Sequence, residues 1–286
     1  MARDPGIEKF LAHIQACQTA CLPGERLGFY LGEARIGYVR PEFAARLDAA
    51  SGSITVTDRV TLNPQAAESL NDIAVAAGCR VRSEDFDVRE TLDGPSLAVL
   101  DRGALPDFGV IGVGVHVNGL VNRADGWHLW VGKRAADKKL DPGKLDNLVG
   151  GGVAAGHTPF ETLVKEAAEE AMIPGALAAT ATETARLSYN MERPEGLRRD
   201  VLYAYDLILP EHFIPHPADG EVEHFDLWPL SRAYETVRDT DDFKFNVNLV
   251  LIDLFIRFGL IEGQDAAMLR AALGPATTIS LQTGRR

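Results

Sequence analysis

Three glutamates within one helical turn are the part of this 286-residue chain best suited to chemistry. Glu166, Glu169 and Glu170 stand at i, i+3 and i+4. On a helix that spacing puts three carboxylates on one face. Like charges so placed weaken a helix by roughly 0.2–0.5 kcal/mol per pair, so a site that keeps all three ionised needs a compensating positive charge. A divalent cation with oxygen ligands supplies it. The same residues also fit a solvated acidic face, because Glu161, Lys165 and Glu169 form an i, i+4 ladder of the ordinary surface kind.

The elements that must position these acids are readable on either side. Thr158 is a good N-cap, Pro159 suits the first helical position, and Glu161 completes a capping box. Phe160, Leu163, Val164, Ala167, Ala168 and Ala171 recur at helical spacing and predict an apolar docking stripe. The acids centre about 130° away from that stripe, so the helix is expected to dock by one face and show its acids elsewhere. Pro174-Gly175 is the expected stop. Upstream, Leu145 to Val149 reads as a short strand running into a turn at Gly150-Gly151-Gly152. A glycine run brings backbone close to a ligand and exposes its carbonyls. Strand, glycine turn and acid-faced helix together make a candidate metal-diphosphate cradle.

With these residues in view, the segment resembles a Nudix box, G-x5-E-x7-R-E-U-x-E-E-x-G-U with U aliphatic. Its first glycine falls on Gly151, its R-E-U-x-E-E core on Lys165 to Glu170, and its last aliphatic position on Ile173. Three positions depart: His157 stands for the first glutamate, Lys165 for the arginine, and Met172 for the final glycine. The resemblance implies that Glu166, Glu169 and Glu170 bind Mg²⁺ (or Mn²⁺), helped by the Gly151 carbonyl. Lys165 keeps the charge of the box cation without its bidentate fork. The longer segments GKLDNLVGGGVAAGHTPFETLVKEAAEEAMIP and RPEGLRRDVLYAYDLILP are similar to one Nudix subfamily with an extra N-terminal domain. Its relatives include the Nudix unit fused to fungal thiamine pyrophosphokinase. That likeness implies hydrolysis of thiamine diphosphate or its oxidised analogues to a monophosphate, on an α/β/α sandwich with a mixed sheet.

Composition bounds the partners. A net charge of −12 argues against nucleic acid and anionic membranes, and 46% hydrophobic residues support a full core. An acidic enzyme acting on a small-molecule diphosphate then needs local cations. Lys133, Arg134, Arg198 and Arg199, at strand ends and a hairpin turn, are the candidates. Solvated surface charge is the plain alternative for each. Cys17, Cys21 and Cys79 make neither a disulfide framework nor a zinc set, and Cys17 and Cys21, at i, i+4 on an expected helix, read as packing. The charged N-terminus lacks the apolar core of a signal peptide, and no run of about 18 apolar residues occurs, so a cytoplasmic protein without a membrane span is expected. The oligomeric state is open between monomer and homodimer.

A small α+β domain is expected over residues 1–107, with the boundary near Asp107. It comprises a helix over 7–21, a hairpin turning at Gly32-Glu33, a helix from Pro41, one strand over ITVTDRVTL and a helix ended by Gly78. The Nudix-like domain takes 108–286. Its expected strands are GVIGVGVHVNGLV with GWHLWVGKRA, TARLSYNMER with DVLYAYDLIL, and EVEHFDLWPL. Three helices follow, and TTISLQTGRR is an expected loose tail.

Glu221 and Glu223, beside a late strand, are candidates for the general base or a further ligand, with exposed loop acids as the alternative. Tyr189, Asn190, Trp127 and Trp130 are candidates for stacking on a heteroaromatic ring, with core packing as the alternative. A Nudix fold that only senses a ligand is the rival reading, favoured by the changes at His157, Lys165 and Met172. An isopentenyl-diphosphate isomerase chemistry is disfavoured, because it uses a cysteine in the core domain and all three cysteines precede residue 80.

Overall fold

The computed structural model describes residues 6–274 except 139 and 219; the expected tail over 277–286 lies outside them. In chain order the elements are α1 (Gly6–Ala16), β1 (Leu27–Leu31), β2 (Ala34–Val39), α2 (Pro41–Ala50), β3 (Ile54–Val56) and β4 (Val60–Leu62). A 3₁₀ turn at Pro64–Ser69 leads into α3 (Leu70–Ala76), β5 (Asp85–Val88), β6 (Ala98–Asp101) and α4 (Leu105–Phe108). Then come β7 (Ile111–Arg123), β8 (Gly126–Arg134), β9 (Leu145–Asp146), β10 (Val149–Gly152), α5 (Pro159–Ala171) and α6 (Gly175–Ala178). The chain ends on β11 (Thr182–Arg193), β12 (Gly196–Ile208), β13 (Val222–Pro229), α7 (Leu230–Asp239), α8 (Val247–Arg257) and α9 (Gly263–Leu273).

Among the described residues the strands form three sheets, and the largest positions the acids. Its order is β11-β12-β7-β8-β13, with β10 paired to the first half of β7 and β9 to the end of β8. β12 runs parallel to β7 while the other pairs are antiparallel, so the sheet is mixed. Alternation along β7 sets its two faces. Val115 and Val117 join Leu163, Ala167 and Ala171 of α5 in one apolar cluster. Leu120 joins α8 and its neighbours in another. Helices therefore cover both faces. α8 is mostly apolar and buried from Val247 to Ile252, with Asn248, Asp253 and Arg257 as its polar residues, which makes it the central helix of its layer.

A separate apolar cluster fills residues 29–110, centred on Phe29, Phe43 and Phe108 with ring centroids 5.0 and 4.9 Å apart. α1 does not belong to it. Ile7, Phe10, Ile14 and Cys17 pack with α7, α8 and α9, and Phe10 lies 5.3 Å from the Tyr234 ring.

Several local expectations are corrected. ITVTDRVTL folds as two strands, because Thr57 to Arg59 make the turn of a β3–β4 hairpin. α1 ends at Ala16, so buried Cys17 and exposed Cys21 share no helix. The segment from Leu145 splits into β9 and β10, and the glycine run is strand rather than turn: Gly150, Gly151 and Gly152 pair with His116, Val115 and Gly114. No helix among the described residues is long and apolar enough to cross a membrane.

Candidate active site

α5 starts as its sequence dictates. The Glu161 amide donates to Thr158 Oγ1 at 3.1 Å and the Thr158 amide to Glu161 Oε2 at 2.9 Å, closing the capping box behind Pro159. The helix stops at Ala171, before the expected Pro174-Gly175, because Met172 turns left-handed at φ 54°. Leu163, Ala167 and Ala171 are fully buried against the sheet. The predicted stripe needs correction at its edges: Phe160 and Ala168 are exposed, whereas Glu170 is only 6% exposed. α5 lies along β10, so the flank carrying Glu166 and Glu170 meets backbone while Glu169 faces solvent.

That contact explains the glycines. The Gly150 amide donates to Glu170 Oε2 at 3.0 Å. A Cβ at Gly151 would stand 2.7 Å from the Glu166 carboxyl carbon and 3.0 Å from its Oε2, so the carboxylate occupies the space a side chain would take. Two carboxylates thus lie on consecutive residues of one strand. Glu169 is turned aside. Lys165 Nζ reaches Glu169 Oε2 at 2.8 Å and Glu166 Oε1 at 3.1 Å. The hydrogen bond to Glu169, with that to Glu166, raises the lysine above its ordinary pKa. Among the described residues no three His, Cys, Asp or Glu side chains converge into a set of metal ligands. The expected gathering of three carboxylates is corrected to two on the strand and one beside them, because Lys165 draws Glu169 while the Gly150 amide holds Glu170. The donor chemistry still suits a hard divalent cation: carboxylate oxygens on one helical turn, two of them against a glycine strand.

Behind β10 runs a buried polar chain that the sequence does not advertise. His116 Nδ1 donates to Asn147 Oδ1 at 2.9 Å, Asn147 donates to Asn118 Oδ1 at 2.8 Å, and Asn118 to Asp206 Oδ1 at 2.9 Å. Arg257 closes the chain on Asp206 and Asp253. The Asn246 amide faces His116 Nε2 at 3.5 Å, which fixes a neutral imidazole between a donor and an acceptor. Burial, and after it nearby Lys244, lower His116 to about 4. Burial alone would raise Asp146; Lys244, His116 and Arg134 outweigh it and hold the carboxyl below its usual range.

Residues 112–247 match the model of the NUDIX domain. The chain is 35% identical to Nudix hydrolase 20, chloroplastic, of Arabidopsis thaliana over 86% of its own length and 71% of that protein. It is also 35% identical to Nudix hydrolase 24, chloroplastic, of the same plant, over 91% of the chain and 75% of the relative. This chain belongs to the Nudix hydrolase family. Among solved structures, it resembles the NUDIX domain of Shewanella oneidensis NrtR complexed with ADP ribose at a TM-score of 0.43 and 13% identity, covering 53% of this chain and 90% of that one.

Around the Nudix box, the cations expected to meet phosphate are already engaged. Arg134 donates to Asp146 Oδ2 at 2.6 Å and to the carbonyls of Leu140 and Asp141. Lys133 donates to the Gly143 carbonyl. Arg198 is paired with Asp200 at 2.7 Å, and Arg199 donates to the Gly109 carbonyl at 2.9 Å while lying over Tyr38. Glu221 pairs with Lys138, and Glu223 accepts from the Ala136 amide at 3.2 Å, so both acids fasten the loop after β8. Tyr189, Trp127 and Trp130 pack in or against the two apolar clusters flanking the main sheet, and His157 is an exposed loop residue. What the sequence does not reveal is that the N-terminal region touches the Nudix box. Phe86 of β5 lies where a Gly152 Cβ would be, with its Cζ at 2.6 Å, and the Ala155 amide donates to the Asp85 carbonyl at 2.7 Å. Only folding brings those segments together, so no local pattern marks them.

Proposed function

We propose that this Nudix hydrolase uses a divalent cation, Mg²⁺ or Mn²⁺, to cleave the diphosphate linkage of a thiamine-type diphosphate or an oxidised analogue, leaving a monophosphate. The observation that carries the reading is the seating of Glu166 and Glu170 on Gly151 and Gly150, which a side chain at Gly151 would prevent. Glu166, Glu169, Glu170 and the Gly151 carbonyl are the assigned holders of the cation. Such an ion would neutralise phosphate charge and activate water. The protein's own part is positional. The Gly150 amide fixes Glu170, and Lys165 orients Glu166 and Glu169 from the position where the family pattern has arginine. The thiamine class is supported by the likeness of Gly143–Pro174 and Arg193–Pro210 to the subfamily described above.

The test is a panel of diphosphates with Mg²⁺, scored for monophosphate and phosphate. Thiamine-type diphosphates should be turned over. Glu166→Gln and Glu170→Gln should each lower kcat by about 100-fold or more with an unchanged melting temperature. Undiminished phosphate release by these variants would overturn the assignment of the acids. Lys165 bridging Glu166 and Glu169 favours a second reading, a ligand-sensing Nudix module. Tight binding of one diphosphate without turnover would support that reading instead.

A further inference from the structure

The chain carries net charge −12, and the four cations expected to meet phosphate each donate to an internal acceptor within 2.9 Å. Lys244 does not. It stands on the turn that enters α8, where its amide donates to the Leu145 carbonyl at 2.9 Å and its carbonyl accepts from the Val247 amide at 3.0 Å. Its side chain is only 13% exposed, yet among the described residues no acceptor lies within hydrogen-bond distance of Nζ; its ion-pair contact is with Asp146 Oδ2, at 3.7 Å. That carboxylate is already satisfied, because Arg134 donates to Oδ2 at 2.6 Å and the Asn147 amide to Oδ1 at 2.9 Å. Asp146, Arg134 and Lys244 together hold two positive charges against one negative. A buried charge without hydrogen-bonded compensation is costly, so the surplus ammonium calls for an anion from outside.

A chain of short contacts carries this charge to the glycine strand. Asn147, next to Asp146, accepts from His116 Nδ1 at 2.9 Å. Asn246, two residues beyond Lys244, faces the other nitrogen of the same ring at 3.5 Å. His116 pairs with Gly150 across β7 and β10, and its ring lies 3.6 Å from where a Gly150 Cβ would be. Val115 and Val117 face α5, so by alternation His116 and Gly150 face the other way, under the turn that bears Lys244. The Gly150 amide holds Glu170 at 3.0 Å. Asn246 Oδ1 is a second buried group on this turn without a partner among the described residues. Burial holds the Lys244 ammonium below its ordinary pKa against the pull of Asp146; Arg134 and Arg198 add to the lowering, and Glu170 opposes it.

We propose that Lys244 binds a phosphate oxygen of a diphosphate seated over Gly150, on the face of the sheet opposite α5. A glycine at that position leaves the backbone open to close approach by a ligand. A lysine on a fastened turn supplies the point charge that the engaged arginines do not. That this diphosphate is the substrate's rests on the hydrolase reading above. That Lys244 and Gly150 form a diphosphate site does not.

The probe is inorganic pyrophosphate with Mg²⁺, titrated calorimetrically into the full chain. Lys244→Met keeps the aliphatic stem and removes the charge; it should weaken binding by about tenfold, the scale of a lost charge-assisted hydrogen bond. Gly150→Ala tests the seat even if Lys244→Met does not fold. Its methyl meets the His116 ring at 3.6 Å and the Val115 carbonyl at 3.8 Å, which are ordinary contacts. Its melting temperature should therefore stay that of the parent while pyrophosphate binding falls by a similar factor. Arg59→Ala removes an equal charge elsewhere, where Arg59 is paired with Glu33, and should leave binding unchanged. Absence of pyrophosphate binding by the parent chain, parent-like binding by Lys244→Met or by Gly150→Ala, or an equal loss in Arg59→Ala would each overturn the site. In the Mg²⁺ assay Lys244→Met should raise KM for the diphosphate by a similar factor with kcat within about threefold, a split that a merely structural ion pair would not give. Turnover with KM untouched sinks the site and leaves the hydrolase standing. Pyrophosphate binding that depends on Lys244 in a chain that hydrolyses nothing sinks the hydrolase and leaves the site.

Discussion

Met172 occupies the left-handed position that ends α5, at φ 54°, and its side chain is 59% exposed. Glycine adopts that conformation without strain, and little packing would be lost. Met172→Gly should therefore stabilise the protein by about 1 kcal/mol in urea unfolding, net of glycine's greater freedom in the unfolded chain. His116 gives a pH signature. It is buried and lowered to about 4, faced by Asn147, Asn246, Asp146, Lys244 and Arg134. An unfolded chain protonates this imidazole near its ordinary value of about 6.5. Protons therefore bind the unfolded state first as pH falls, so the stability present above pH 6.5 is lost progressively down to about pH 4. From pH 7 to 4.5 the parent should lose about 2 kcal/mol more than His116→Gln. Parallel losses in the two proteins would show that another group controls the acid limb.

At the scale of elements, β10 and α5 are one unit. Gly151→Ala should drive its methyl into Glu166, 2.7 Å from the carboxyl carbon, and displace a side chain rather than a backbone. The expected result is a native melting profile with kcat reduced by about tenfold or more, as for a displaced reacting group. Unchanged kcat would mean that the position of Glu166 is irrelevant. The helix half of this unit was legible from local chemistry: cap, proline, capping box and acid spacing all lie within a few residues of one another. The strand half was not. Three glycines carry no alternation, and their strand character comes from pairing with β7, where Gly114 leaves room for the Gly151 carbonyl at 3.2 Å from its Cβ position. The long hairpins β7–β8 and β11–β12 were legible because each carries its own alternation and a turn glycine, Gly126 or Gly196, at positive φ. The partners of the expected phosphate cations were not legible for the opposite reason. An arginine looks available in sequence until its acceptor arrives from elsewhere, as Asp146 does for Arg134, twelve residues on.

Over the whole molecule, the order of the chain and the order of the packing differ. The apolar cluster of residues 29–110 runs past Asp107 to Phe108 and Val110. A division at Asp107 separates α1 from the core that α1 helps to build: Phe10 lies 6.4 Å from Phe255 and 5.3 Å from Tyr234, and Lys9 pairs with Asp241 at 2.7 Å. His13 Nε2 donates to the Val237 carbonyl at 2.9 Å and its Nδ1 accepts from the Asn248 amide at 3.2 Å, both partners C-terminal. The amphipathic character of α1 is plain in its sequence, but nothing local states which partner covers its apolar face, so reading the chain in order assigns it to the wrong neighbour. Phe10 is fully buried, and Phe10→Ala should cost about 3–5 kcal/mol through lost burial and the cavity left between α7 and α8. A fragment of residues 108–286 removes all of α1 at once and uncovers the α7–α9 layer. It should therefore show no cooperative thermal transition and should bind a hydrophobic dye, whereas the full chain melts in one step. Cooperative melting of that fragment near the temperature of the full chain would make Asp107 a true folding boundary and reduce α1 to an appendage. The physical ground for the opposite outcome is that a layer built around a buried, mostly apolar α8 cannot lose one of its covering helices and remain shielded from water.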